Sequence, residues 1–120
     1  MPIISSKLFL QDFAVQANIG IHAFEKAGPQ RLLISVELRL DIRDKPDADE
    51  IGTVLDYDFL RREILELVSR RHFNLQETLC REIVAIVAQH QSVMEATVST
   101  RKPDVYPDCA AVGVALTYRR

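Results

Sequence analysis

LISVELRLDI, residues 33–42, alternates apolar and polar side chains from Ile34 to its end. A period of two puts Ile34, Val36, Leu38, Leu40 and Ile42 on one face, and Ser35, Glu37, Arg39 and Asp41 on the other. One apolar face and one polar face describe a strand of an antiparallel sheet that is covered on one side only. The preceding stretch repeats the pattern with Phe13, Val15, Ala17, Ile19 and Ile21, with Gln16 and Asn18 between them. HAFEKAGPQR, residues 22–31, interrupts the two with a Gly28-Pro29 turn signal, so the strands pair antiparallel.

Beyond the deciding strand, RDKPDADEIGT (residues 43–53) is polar, carries Pro46 and Gly52, and reads as a connecting loop. Asp56 can cap a helix whose apolar stripe is Leu60, Ile64, Leu67 and Val68, and which stops near residues 71–73. A second helix starts at NLQE, where Asn74 and Glu77 have capping-box spacing. Its stripe is Leu75, Leu79, Ile83, Ile86 and Val87, ending near Gln89. Two further strands are expected at about 95–101 and 110–118, the last with Val112, Val114, Leu116 and Tyr118 on one face. The result is an α+β chain of order ββααββ, read as one domain over residues 1–120, with no internal repeat.

Two amphipathic helices can cover one face of a four-stranded sheet. The other face, with Ser35, Glu37, Arg39, Asp41, Ala111, Gly113, Ala115 and Thr117, is polar or small and has no helix left for it. The sheet also has two open edges, which soluble proteins protect or pair. Joining sheets edge to edge between subunits into a barrel solves both problems; a monomer with a wet sheet face is the simpler reading.

Composition narrows the function classes. A chain that is 48% hydrophobic and 27% charged is ordinary for a folded soluble protein. A net charge of −2 and a pI near 5.9 leave no electrostatic footprint for nucleic acid. No apolar run approaches the ~18 residues of a membrane span and none resembles a signal peptide, so a cytoplasmic location is expected. Cys80 and Cys109 lack metal or redox spacing and read as reduced, mostly buried thiols. His22, His72 and His90 are too scattered for a ligand motif, so no metal is expected.

Four side chains with acid/base or hydrogen-bonding chemistry stand where elements begin or end, which is where sites assemble. They are Glu25 in the first loop, Tyr57 opening the first helix, Glu77 in the first turn of the second, and Lys102 after the third strand. Each also has a plain structural reading: a loop carboxylate, a helix-end aromatic, a cap partner and a solvated strand-end charge. In TRKPDVYPDCAAVGV, residues 100–114, Pro103 restricts the residue before it to extended conformations and so fixes where Lys102 points. Alternation along that strand sends Arg101 to the opposite face.

Taken together, IGIHAFEKAGPQ, VLDYDFL, FNLQETL and STRKP…AAVGV resemble the dihydroneopterin aldolase family, whose close relative is dihydroneopterin triphosphate epimerase. The similarity runs over nearly the whole chain and implies the tunnelling fold. It implies catalytic roles for Lys102, Tyr57 and Glu25, and a pterin anchor at Glu77. It also implies substrate contacts from the backbone near Val54, Leu55, Leu75 and Gln76. Gln76 departs from the family pattern, because an aliphatic residue is common just before the pterin-anchoring glutamate. The resemblance further implies no cofactor and a site shared between adjacent subunits. Rings of four chains would stack into a homo-octamer.

The implied reaction is retro-aldol cleavage of 7,8-dihydroneopterin, a small-molecule pterin, to 6-hydroxymethyl-7,8-dihydropterin and glycolaldehyde in folate biosynthesis. Many aldolases take up the electron pair with a lysine Schiff base or a metal. The conjugated C6=N5 imine of dihydropterin does so itself once N5 is protonated, so Lys102 is expected as an acid/base residue and not a nucleophile. Re-addition of glycolaldehyde on its other face would give 2′-epimerisation at the same site. Two alternatives stay open: an epimerase acting mainly on the triphosphate, and a non-catalytic pterin-binding oligomeric protein.

Overall fold

A computed structural model describes residues 2–42 and 49–120, with Thr53 described by its backbone alone. The deciding stretch is a strand, β2 (Gln30–Leu40), with Leu32, Ile34, Val36 and Leu38 buried on its inward face. Ile42 lies past the strand end and is exposed, so the buried face is shorter than its alternation predicts. β2 pairs antiparallel with β1 (Ser6–Ala17) and with β3 (Val93–Lys102), and β3 pairs with β4 (Val112–Arg119). The sheet order is β1-β2-β3-β4, leaving β1 and β4 as the edges.

β1 begins earlier and ends earlier than the expected 13–21. Leu10 stands opposite Val36 while Phe13 stands opposite Ile34, so β1 carries one extra residue against its partner. Asp12 takes a left-handed φ of 53° there, and its N–H donates to the Ser35 hydroxyl at 2.9 Å. This bulge breaks the alternation at Gln11–Asp12, which is why the sequence pattern hides the first half of the strand. Downstream, Ile19 makes a parallel bridge to Phe73, and Ile21 is exposed.

The first interstrand loop contains a short helix, α1 (Ala23–Lys26), where only a turn is expected. Of the second loop, residues 43–48, including Pro46, lie outside the described residues. Gly52 falls in a 3-10 turn, Ile51–Thr53. Helix α2 (Tyr57–Ser69) follows the predicted pattern: the Asp56 side chain caps it by accepting from the Asp58 N–H, and Leu60, Ile64, Leu67 and Val68 are buried. It packs over β1.

Helix α3 (Gln76–Ala88) lies over β3 and β4 but starts differently from expectation. Its N-cap is Leu75, without a side-chain cap, so the Asn74–Glu77 box does not form. The cause is the bridge to Ile19. The Phe73 N–H donates to the Asn18 carbonyl at 2.8 Å, and the Gly20 N–H donates to the Phe73 carbonyl at 2.9 Å. The chain therefore stays extended beyond Asn74. Leu75 is exposed as a result, and Gln76 is buried in its place with Leu79, Cys80, Ile83 and Val87. Cys109 is exposed, not buried as expected, because it sits in the loop between β3 and β4.

The helices cover one sheet face, and the core lies between the layers. The opposite face carries a polar ladder. Lys7 pairs with Glu37 at 2.7 Å, Arg39 with Glu95 at 3.4 Å, and the Thr97 and Thr117 hydroxyls meet at 3.0 Å. Arg101 pairs with Asp12 on this face, as strand alternation predicts. Its central concavity, about 560 Å³, is lined by Lys7, Phe9, Asp12, Ser35, Glu37 and Arg101 among others. Among the described residues, no helix is long and apolar enough to cross a membrane.

Candidate active site

Lys102 is the last residue of β3, and with Thr100 it faces the helix-covered side of the sheet. Both are buried polar residues. Across from Lys102, the α1 turn delivers Glu25, which is only 4% exposed. The Lys102 ammonium donates to Glu25 Oε2 at 2.5 Å, closing a buried ion pair. A pair removed from water in this way is stable only when its remaining hydrogen-bonding capacity is filled. Here Gln30 Nε2 donates to Glu25 Oε2 at 2.9 Å and to the Ile19 carbonyl at 2.8 Å, while the His22 N–H donates to Glu25 Oε1 at 3.3 Å. Burial by itself raises the Glu25 carboxyl's pKa, but the Lys102, Gln30 and His22 donors outweigh it and bring the value from 4.5 down to about 2. Glu25 is therefore a carboxylate throughout the physiological range.

Gly20 makes this arrangement possible. Its φ of +123° is rarely adopted by side-chain-bearing residues, and a Cβ built on it would lie 2.1 Å from the Glu25 Cδ. His72 Nε2 lies 2.7 Å from the Gly20 carbonyl, so both peptide groups of this glycine are held in place.

The pair opens onto a cleft of about 190 Å³ between the α1 turn, the start of α3 and the β3–β4 loop. Glu77 and Leu75 stand at its exposed rim, with Gln76 buried among the lining residues. Five of the residues singled out by sequence thus share one cleft: Glu25, Lys102, Glu77, Leu75 and Gln76. Val54, Leu55 and Tyr57 do not line it. Val54 and Tyr57 are instead exposed at the start of α2.

The sequence pattern did not single out Gln30, Thr100 or Tyr106. Thr100 carried a usable signal, because it lies two residues before Lys102 and so shares its strand face. Tyr106 lines the cleft from the loop bracketed by Pro103 and Pro107, yet nothing in its spacing marks it. Gln30 opens β2, and only the fold brings it beneath Glu25.

A buried ammonium–carboxylate pair beside an exposed carboxylate can move protons and bind a ligand rich in N–H groups. The sequence model of the family described as dihydroneopterin aldolase matches residues 8–117. Among solved structures, the dihydroneopterin aldolase of Burkholderia thailendensis bound to guanine is 39% identical, with a TM-score of 0.86. That match covers 97% of this chain and 92% of the other. The dihydroneopterin aldolase of Haemophilus influenzae is 22% identical over 110 residues, 92% of this chain and 93% of the relative. The dihydroneopterin triphosphate 2′-epimerase of Pseudomonas aeruginosa is 24% identical over 115 residues, 96% of this chain and 94% of the relative.

Proposed function

The chain belongs to the dihydroneopterin aldolase family, and on that premise we propose that the Glu25–Lys102 pair is the acid/base centre of its retro-aldol reaction. The substrate is 7,8-dihydroneopterin, and the products are 6-hydroxymethyl-7,8-dihydropterin and glycolaldehyde. The observation that carries the assignment is the buried ion pair at 2.5 Å, opening on a cleft with Glu77 at its rim.

Glu77 holds the ring. Its carboxylate accepts from the pterin 2-amino group and N3–H, a bidentate pairing that suits a carboxylate. Glu25, held as a carboxylate, accepts from the hydroxyls of the substrate side chain. The 2′-hydroxyl proton is relayed through water at Lys102 to N5, and the C1′–C2′ bond breaks, releasing glycolaldehyde. The electron pair passes into the C6=N5 imine as N5 takes a proton. Lys102 works through water at this end of the ring. Proton return to C1′, with N5 giving up its own, then yields the hydroxymethyl product, and Tyr57 supplies the proton to C1′.

Tyr57, Val54 and Leu55 reach such a substrate only from a neighbouring copy of the chain. The reading therefore includes a homo-oligomer with a site shared between subunits, built as rings of four that stack into an octamer. The uncovered sheet face and the two free edges support it.

A second reading is favoured by the 24% identity to a triphosphate 2′-epimerase, which matches the aldolase relatives in coverage. Epimerisation follows when the released aldehyde is retained and re-added on its other face. Incubation with 7,8-dihydroneopterin and product analysis for glycolaldehyde tests the aldolase. Faster turnover of the triphosphate, with epimer and no aldehyde, would assign the epimerase. Binding without any product would leave a non-catalytic pterin protein.

A further inference from the structure

We infer that Gln76 determines ring specificity in this site, its side-chain amide donating a hydrogen bond to the 4-oxo oxygen of the bound 2-amino-4-oxopyrimidine ring. The inference rests on the cleft being a pterin site and concerns one side chain within it.

Gln76 is a buried polar residue at an apolar position. It is 8% exposed, on the face of α3 that carries Leu79, Cys80 and Ile83, and it lines the cleft together with Glu77, Lys102 and Val112. A buried amide is tolerated only when it is hydrogen-bonded, and the bonds here fix which way it faces. The Thr100 hydroxyl donates to Gln76 Oε1 at 2.7 Å, and behind it the Cys80 thiol donates to Thr100 Oγ1 at 3.7 Å. The thiol has a second acceptor in the Val114 carbonyl at 3.9 Å, so the amide's facing is decided at its nitrogen end. Gln76 Nε2 then lies 3.4 Å from the Val112 carbonyl. A flipped amide would set its oxygen against that carbonyl, acceptor against acceptor. The oxygen therefore faces inward, and the nitrogen faces the side of the cleft that Val112 lines.

An amide nitrogen has two hydrogens to give. At 3.4 Å the bond to Val112 is long for N–H···O, and it occupies one of them weakly. The other is left for whatever fills the cleft. A ligand meeting this donor must offer an acceptor close to the groups that Glu77 binds. With N3–H and the 2-amino group on the Glu77 carboxylate, the carbonyl beside N3–H is the exocyclic acceptor flanking that pair. A ring with an amino group in its place would turn donor against donor, and a site that hydrogen-bonds a specific group rejects analogues lacking it strongly.

The test uses guanine, which shares the 2-amino-4-oxopyrimidine edge, and 2,6-diaminopurine, in which amino replaces oxo and the ring nitrogen between the two exocyclic groups loses its hydrogen, so a residual preference for guanine through Glu77 persists in every variant. Guanine affinity by calorimetry should fall about 10- to 100-fold in Gln76→Leu. The preference for guanine over 2,6-diaminopurine should shrink with it. KM for dihydroneopterin should rise while kcat stays within a few-fold. Gln76→Leu leaves Thr100 without its acceptor, so the double variant Gln76→Leu/Thr100→Val is the control. It should regain stability to urea and still bind guanine weakly. Recovery of affinity along with stability would overturn the inference, because Gln76 would then be only a partner for Thr100. Unchanged guanine affinity in folded Gln76→Leu would overturn it too, leaving the pterin site standing. Wild-type protein that binds neither guanine nor dihydroneopterin would remove the pterin reading and this inference together.

Discussion

Lys102 and Glu25 stand 77 residues apart in sequence and 2.5 Å apart in space. If Lys102 is the acid/base residue, Lys102→Ala should slow the single-turnover chemical step roughly 10²- to 10⁴-fold. Guanine affinity should change much less, because the proposed ring anchor is Glu77. The substitution also strands a buried carboxylate, so Lys102→Gln, which can still donate to Glu25, should be slow as well but better folded. Borohydride added during turnover should trap no substrate carbon on the wild-type protein; an adduct on Lys102 would make it a nucleophile instead. The Glu25 carboxyl sets a pH dependence. Its pKa is lowered from 4.5 in the unfolded chain to about 2 in the fold, so its contribution is fully present above pH 4.5. That contribution is lost as pH falls toward 2, because protonation removes the ion pair. The shift corresponds to something on the order of 3 kcal/mol. Urea stability measured from pH 6 to pH 2 should therefore fall more steeply for wild type than for Glu25→Gln; equal slopes would deny the pair its energetic role. Both members of the pair were legible as chemistry-bearing residues at element ends. Their pairing was not, because it depends on the Gly20 turn and on Gln30, which no periodicity encodes.

At the scale of the element, α3 shows where pattern reading succeeds and where it stops. The buried positions Leu79, Ile83 and Val87 follow from the 3.6 period alone. The helix start was misplaced because a bridge from Ile19 to Phe73, made between residues far apart in sequence, holds Asn74 out of the cap position. β1 was half hidden for a related reason: its alternation is interrupted by a residue that has no partner on β2. The corrected helix start sharpens a prediction about Glu77. It is exposed and forms no capping box, so Glu77→Ala should change urea stability by only about 0.5 kcal/mol or less. Ring affinity should nonetheless drop by about 1.5–3 kcal/mol, the worth of a charge-assisted hydrogen bond. A folded Glu77→Ala protein that binds guanine normally would dismiss the anchor.

For the whole molecule, the cleft and the Tyr57 segment are two parts of the proposed site that a single chain does not bring together. Sedimentation at assay concentration should show a ring-based assembly, and a stable, active monomer would defeat the shared site. Subunit mixing gives a sharper readout. Lys102→Ala and Tyr57→Phe proteins, each impaired alone, should regain activity when unfolded together and refolded, since some sites then combine an intact Lys102 with an intact Tyr57. Activity no higher than the average of the two would place every catalytic group within one chain. A sheet with one dressed face was readable from the sequence, whereas the polar ladder across the other face emerges only once strand register is known.

The extra residue in β1 acts as a phase corrector. Before it, even-numbered side chains, Leu8 and Leu10, turn toward the core; after it, odd-numbered ones, Phe13, Val15 and Ala17, do. Deleting Gln11 or Asp12 would put both halves of the strand in one frame. The strand would then run as a regular alternation, with Leu8, Leu10, Phe13, Val15 and Ala17 all turned inward and no bulge needed. A single-residue deletion at this point should therefore be the milder lesion, whereas deleting both residues leaves the two halves in opposite parity with no bulge to correct it, throwing Leu8 and Leu10 to the wet side and driving Lys7 and Phe9 under the helices. For a library of deletion variants scored by soluble yield, one loss tolerated where two are not is the mark the bulge should leave.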